Sequence, residues 1–291
     1  MEILFGTPAK AKAKHLPWAE TLLLPIGDVQ YAGGGKNDPC AVDRLKRWIE
    51  EGLKHPNVYF LGLGDYIDVA SPSNRARITE ARLYDSVRDM MEDAAAGLVA
   101  GFLDIMKGTE GRWLGLLEGH HYFEFEDGTT TDTRIAQALK APFLGDSAMI
   151  KLLFADGKAI RTSSVIWCHH GVGGGLLTSA PLNRLEHVLK SFDADIYLIG
   201  HHHKKVAAPM DRVYVRWDKR PPKLEHKTAI LACTGGWIRS YLQGHQRAGR
   251  AQGIYVEQKM LSPTALGGIK LWLRPRGVHS GDRWMETTVE Q

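Results

Sequence analysis

Cysteine is scarce in this 291-residue chain. Only Cys40, Cys168 and Cys233 occur, far apart. They form no CxxC pair and no disulfide framework. Long apolar runs are missing as well: no stretch approaches the ~20 residues that span a bilayer. The opening "MEILFGTPAKAKAKHLPWAE" lacks a basic start followed by an apolar core, so no secretory signal is read there. A cytoplasmic location and no membrane partner are the expectation. Internal repeats and low-complexity linkers are absent too. A large excess of one charge sign is also lacking, since the net charge is +4. Its distribution is uneven, however. Residues 201–291 carry 16 Lys/Arg against 7 Asp/Glu, leaving the first 200 residues on the acidic side. Such a basic third attracts a polyanion such as nucleic acid, or else is scattered over a solvated face.

What is present looks globular: 44% hydrophobic and 24% charged residues, close to the average for folded domains. Buried strands that end in loops are read at 20–30, 57–68, 112–122 and 194–203. Helical spacing appears at 40–55, where Leu45, Trp48, Ile49 and Leu53 share a face. Further helices are read at roughly 75–107, 132–141 and 181–192. Residues 148–171 read as a hairpin around Asp156-Gly157. Shorter strands follow in "DRVYVRWD", "KTAILACTGGWI" and "GIKLWLRP". Strands alternating with helices and then giving way to a strand-rich end imply an α/β layered fold. No boundary is visible, so residues 1–291 are expected to form a single domain with a helical insertion near 75–107.

The polar residues cluster where strands end. The first strand leads to Gly27-Asp28-Val29-Gln30, the second to Gly64-Asp65-Tyr66-Ile67-Asp68, and the third to Gly119-His120-His121. Two more lead to His169-His170-Gly171 and Gly200-His201-His202-His203. Ligands of open α/β sheets gather outside the carboxyl ends of strands, and glycine lets a backbone approach a ligand closely. Carboxylate with imidazole suits Mn, Fe, Zn or Ni. The donors exceed what one tetrahedral catalytic ion needs. They suit a pair of ions of the kind that stabilises attacking and leaving oxygens in phosphoryl transfer.

In order, these motifs resemble the calcineurin-like metallophosphoesterases, whose run is D-x-H, G-D-x-x-D, G-N-H-D/E, H and G-H-x-H. The resemblance covers about Thr21 to Pro275, and the tail "CTGGWIRSYLQG" onward looks like the closing strands of phage- and bacterial-type members. It implies a four-layer αββα sandwich, two central mixed β-sheets flanked by helices, with two divalent metal ions at its edge. Asp28 then binds the first metal and Asp65 bridges both. His120 stands at the asparagine ligand position, and His170 matches the next ligand. His201 binds the second metal and His203 the first. His121 becomes the acid that protonates the leaving oxygen, with Asp68 orienting it. Gln30 stands where a histidine ligand is usual, which weakens the first site or favours Mn. His120 in place of asparagine tightens the second.

The function implied is a phosphoesterase working through a metal-activated hydroxide. A phosphodiesterase acting on nucleic acid or nucleotides is preferred, with DNA or RNA as candidate partners. The alternative is a catalytically degenerate metal-binding scaffold or nucleic-acid-binding protein on the same fold. An unrelated metallohydrolase, for example of amides, is a weaker third reading. His169 reads as structural and as the fallback ligand for His170. His202 reads as lining the cleft or facing solvent. Lys204 and Lys205 read as solvated, with phosphate contact as the alternative. "GVGGGLLT" (171–178) offers backbone N–H groups to a phosphate but lacks the Lys-Ser/Thr of a P-loop. "YAGGGKND" (31–38) reads as a flexible loop beside Gln30. Trp167, Trp237 and Trp272 read as core, and His55, His187 and His279 as surface or structural.

Overall fold

In the computed structural model, residues 11–35, 38–81, 84–157, 159–217, 220–277 and 283–291 are described. His279, Lys36, Asn37 and the Lys158 that follows the expected hairpin turn lie outside them. The elements in chain order are β1 (Ala11–Pro17), β2 (Thr21–Ile26), α1 (Val42–Leu53), β3 (Val58–Gly62), α2 (Pro72–Glu80), α3 (Asp85–Ile105) and β4 (Trp113–Leu117). Next come α4 (Thr131–Ala138), β5 (Phe143–Gly145), β6 (Ser147–Asp156), β7 (Ala159–His169), α5 (Ala180–Leu189) and β8 (Ile196–Ile199). The last are β9 (Lys205–Arg216), β10 (Lys223–Gly236), β11 (Gln246–Arg247), β12 (Arg250–Ala251), α6 (Tyr255–Gln258), β13 (Gly267–Gly268), β14 (Lys270–Arg276) and β15 (Trp284–Glu290).

Two mixed sheets form. One has the order β1-β6-β7-β8-β10-β13, with β9 on β10; the other runs β15-β14-β2-β3-β4-β5. In the second sheet β2, β3, β4 and β5 are parallel. In the first, β7, β8 and β10 are parallel. Parallel strands buried on both faces read as continuous apolar runs. "TLLLPI" of β2 is buried at all six positions. Its Leu23 packs between the sheets with Leu61, Ile150, Ile166 and Leu198. Leu22, Leu24 and Ile26 face the other way, onto Leu45 and Ile49 of α1, Phe102 of α3 and Ile135 of α4. On the far side Tyr197 and Leu231 meet Leu185 of α5. The layers are therefore helices, sheet, sheet, helix, the four-layer αββα arrangement expected. Full burial of each large apolar side chain contributes about 1.5–3 kcal/mol, and Phe60, Leu61, Leu23 and Tyr197 are all fully buried.

The apolar face of α1 is as read, with Leu45 and Ile49 buried and Trp48 and Leu53 packed beside them. The stretch expected as one helical region at 75–107 is two helices. Ser71 caps α2 through the Asn74 N–H, with proline in its first turn, and Ala81 is already extended at φ −70, ψ 121. No glycine or proline marks that break in the sequence. The three cysteines are free and buried. Burial pushes each thiol up to about 12.

Candidate metal centre

Strands β2, β3, β4, β7, β8 and β10 all deliver their carboxyl ends to one edge of the two sheets. The loop after β2 is fastened to the loop after β3. The Asp28 N–H donates to Gly64 O (3.1 Å), and the Val29 and Gln30 N–H groups donate to Asp65 O (2.9 Å each). The Trp237 N–H, beyond β10, donates to Asp28 O at 3.0 Å. Asp28, Gln30, Asp65, His201 and His203 all lie in the left-handed region, with φ between 47° and 63°. Non-glycine residues there are uncommon and strained, and such strain collects at functional sites. The strand-end glycines make the close approach possible. A Cβ on Gly119 would overlap the backbone nitrogen of Asp65. One on Gly64 (φ +88) would lie 2.6 Å from the Gly119 Cα.

Asp28, Asp65 and His170 are buried and offer ligand atoms all within 4.8 Å of one another; His120, His170 and His201 form a second such group. The Asp65 Oδ1 accepts the N–H groups of His120 and, at 3.0 Å, of His121. Its Oδ2 lies 3.4 Å from His170 Nε2. His170 Nδ1 sits 2.5 Å from Leu63 O. That carbonyl can only accept, so Nδ1 carries a hydrogen and Nε2 is the ring atom left to face the Asp65 carboxylate and, on losing its proton, a cation. Both His170 Nε2 and Asp28 Oδ2 are buried without a hydrogen-bond partner. Donor atoms converging in a buried space, with the far ring nitrogen fixed by a carbonyl, suit a divalent cation, whose binding releases their protons. The donor set fits such a cation. His120 Nδ1 and His201 Nδ1 are 3.2 Å apart. The Asp28 Oδ1 accepts the His201 N–H at 3.0 Å and lies 3.5 Å from His203 Nε2. Gln30 is buried two residues further on, 8% exposed.

The electrostatics express the same crowding. Burial pushes the Asp28 carboxyl up to about 8, with the Asp65 charge adding to it and His170 opposing. Burial would also raise Asp65, but His170 and His121 hold it well below the usual carboxylate range. Burial would lower His170, yet Asp65 and Asp28 bring it up to about 9. Burial drives His120 and His203 down to about 4, helped at His120 by His170 and at both by the neighbouring His201. Beside them, His121 Nδ1 is 2.8 Å from Asp68 Oδ1. Burial works against the imidazolium there, and the Asp68 hydrogen bond outweighs it, raising the pKa.

The remaining candidates sort clearly. His169 points away from the cluster. Its Nδ1 accepts the Gly171 N–H at 2.8 Å, and its ring stacks on Trp167 with centroids 6.0 Å apart. The His202 ring packs edge-on against His201. The stretch 171–178 presents carbonyls rather than N–H groups on this side. His201 Nε2 meets Gly173 O (2.8 Å), and Lys204 Nζ donates to Gly175 O (2.5 Å) and Leu177 O. The lysine ammonium attracts those carbonyls, which overrides the anion-cradling expectation. Lys205 begins β9 opposite Thr234. Trp167 and Trp237 are buried, and Trp272 packs against the core and His55.

Sequence reasoning missed two residues. Asp132 at the start of α4 is fully buried, and its Oδ2 accepts the Gly119 N–H at 2.8 Å. Burial pushes it up to about 7. In sequence it resembles any acid in a first helical turn. Arg75 of α2 reaches the carbonyl of His120 at 2.8 Å, and no local motif signals that contact.

No protein-family model matches the chain, and no curated protein does. Solved structures that resemble it include Vps29 from Cryptosporidium parvum, at 13% identity over 94% of this chain and 98% of that one, TM-score 0.36. A single mutant of Vps29 from Entamoeba histolytica gives 12%, 93%, 100% and 0.39. The calcineurin-like phosphoesterase YfkN from Bacillus subtilis gives 10%, 94%, 91% and 0.35. At such identities and scores these neighbours assign no residue and no activity.

Proposed function

We propose that the chain is a metal-dependent phosphoesterase of the calcineurin-like type, acting on phosphodiesters of nucleic acids or nucleotides in the cytoplasm. The observation that carries this reading is the pair of donor groups that share His170 at the sheet edge, flanked by the His121–Asp68 pair. Asp28, Gln30, Asp65 and His203 would hold one divalent cation; Asp65, His120, His170 and His201 would hold the other. Two such cations, Mn foremost among Mn, Fe, Zn and Ni, supply Lewis acidity and positive charge for the phosphate oxygens.

The chain's own residues do the rest. Asp68 accepts the Nδ1–H of His121 and so turns Nε2, the other proton-bearing atom, toward the centre, 4.0 Å from Asp65 Oδ2. The Asp68 hydrogen bond raises the His121 pKa, so the ring holds that proton more tightly than a free imidazole, which favours general-acid assistance to a leaving oxygen. The excursion 237–266 supports the choice of a polyanionic substrate. It is rooted at Asp28 through Trp237 and carries four Lys/Arg against one Asp/Glu. It also exposes Tyr241 and Tyr255, side chains on which bases can stack.

The test is hydrolysis of bis(p-nitrophenyl) phosphate, with the monoester in parallel, after chelation and single add-back of Mn, Ni, Zn, Fe or Mg. Metal-restored cleavage that favours the diester and disappears in Asp65→Ala supports the reading. Absence of cleavage with every metal transfers support to a metal-binding scaffold on the same fold.

A further inference from the structure

The segment 68–75 leads from the centre into α2, and five of its contacts converge on residues 120–122. Asp68 holds the His121 ring. The Val69 N–H donates to His121 O at 3.3 Å. Arg75 Nη1 reaches His120 O (2.8 Å) and Tyr122 O (3.2 Å), as well as Ala70 O at 3.2 Å. Its guanidinium lies 3.7 Å from the centroid of the Tyr122 ring.

The peptide joining His120 to His121 is therefore gripped at both ends. Its carbonyl faces Arg75, and its N–H donates to Asp65 Oδ1. Tilting that peptide plane would swing the His121 Cα–Cβ bond and take the ring off Asp68. Meanwhile α2 has little else to hold it. Among its described side chains only Arg75 and Ile78 are half-buried, and the others are exposed. We infer that Arg75 is a positioning residue for the His120–Tyr122 turn, so that docking of α2 and aiming of the His121 ring are one event. This rests on the reading of His121 as proton donor. The planar guanidinium is essential: it meets carbonyls in its plane while its face covers an aromatic ring, which an ammonium cannot do.

The test compares wild type with Arg75→Ala, Arg75→Lys and Tyr122→Leu, after thermal melts and metal content establish that each is folded and loaded. Proton NMR first locates the downfield Nδ1 proton of the His121–Asp68 pair, identified by its loss in Asp68→Asn. It is expected to vanish or broaden in R75A and to weaken in R75K. Kinetically, R75A should lower kcat about tenfold or more on phenyl esters, part of the ~10²–10⁴ of a general acid, with KM moving less than about threefold. The deficit should shrink on 2,4-dinitrophenyl esters, whose leaving group needs no proton. An unchanged downfield proton, or an equal loss on both esters, overturns the inference. If wild type cleaves no ester, the phosphoesterase reading falls, and the NMR comparison alone decides the positioning role. Should R75A fail to fold, R75K and Tyr122→Leu carry the same comparison.

Discussion

Asp28→Asn should stabilise the chelator-treated protein while abolishing its response to metal. Asp28 is fully buried, and its carboxyl rises from 3.8 to about 8. A carboxyl with a raised folded pKa binds its proton more tightly in the folded state. Its contribution is therefore complete below pH 3.8 and falls as pH climbs toward 8. At about 1.4 kcal/mol per pH unit, an ionised Asp28 subtracts at most about 6 kcal/mol at pH 8. Asparagine is uncharged at every pH, keeps an oxygen for the His201 N–H, and tolerates the left-handed backbone at φ 51. Against this stands the loss of a hydrogen bond to a charged acceptor, about 1.5–3 kcal/mol. The net gain is about 3 kcal/mol at pH 8, a rise in Tm of several degrees for a chain of this size. Thermal melts in EDTA at pH 4.5, 6 and 8 measure it, repeated with Mn. The variant's advantage should grow with pH, and Mn should stabilise only the wild type, by about 2.7 kcal/mol at a hundredfold excess over Kd, which raises its Tm alone. A variant less stable than wild type in EDTA at pH 8, or an advantage independent of pH, would refute the reasoning.

Three further outcomes are expected. Gly119→Ala drives a methyl into the Asp65 backbone, where no rotamer change gives relief. It should cost more than about 3 kcal/mol in denaturant unfolding or eliminate metal binding; a variant close to wild type in both would contradict the packing described. Asp132→Asn retains an acceptor for the Gly119 N–H and should be mild. Asp132→Leu buries that N–H unpaired and should cost about 1–3 kcal/mol, read from the difference between the two denaturation midpoints. His121→Ala should lower kcat on the diester about 10²–10⁴-fold with metal content by mass spectrometry unchanged; full activity with both metals bound would remove its assigned role.

Much of the layered fold was legible because both-face burial writes itself as unbroken apolar runs. "TLLLPI", "VYFLG", "WLGLL" and "IYLI" are central strands for that reason. The clustering of Asp and His beyond them was legible because each follows such a run within a few residues. Edge strands were harder. In β1 the sequence "AKAKHLP" pairs with β6 on one side only, so its alternation is weak and half polar. At β15 the apolar content is as sparse, since only Met285 and Val289 turn inward. Asp132 and Arg75 were invisible for a different reason. Each acts on a backbone group of residues 119–122 from a different element, and a backbone partner leaves no imprint on residue type.

The centre also assembles from parts of the chain that lie far apart in sequence. Asp28 and His201 are hydrogen-bonded across 173 residues, and Trp237 closes on Asp28 from further still. Closing loops of that length is what makes topologies of high contact order fold slowly. A nascent chain thus displays Asp28, Asp65 and the His120-His121 pair long before Gly236 emerges, with no geometry to retain an ion. On the proposed function, metal loading is expected to be complete only once β10 has brought Trp237 onto Asp28, and a chain truncated before β10 should retain less metal than the full chain when measured by mass spectrometry.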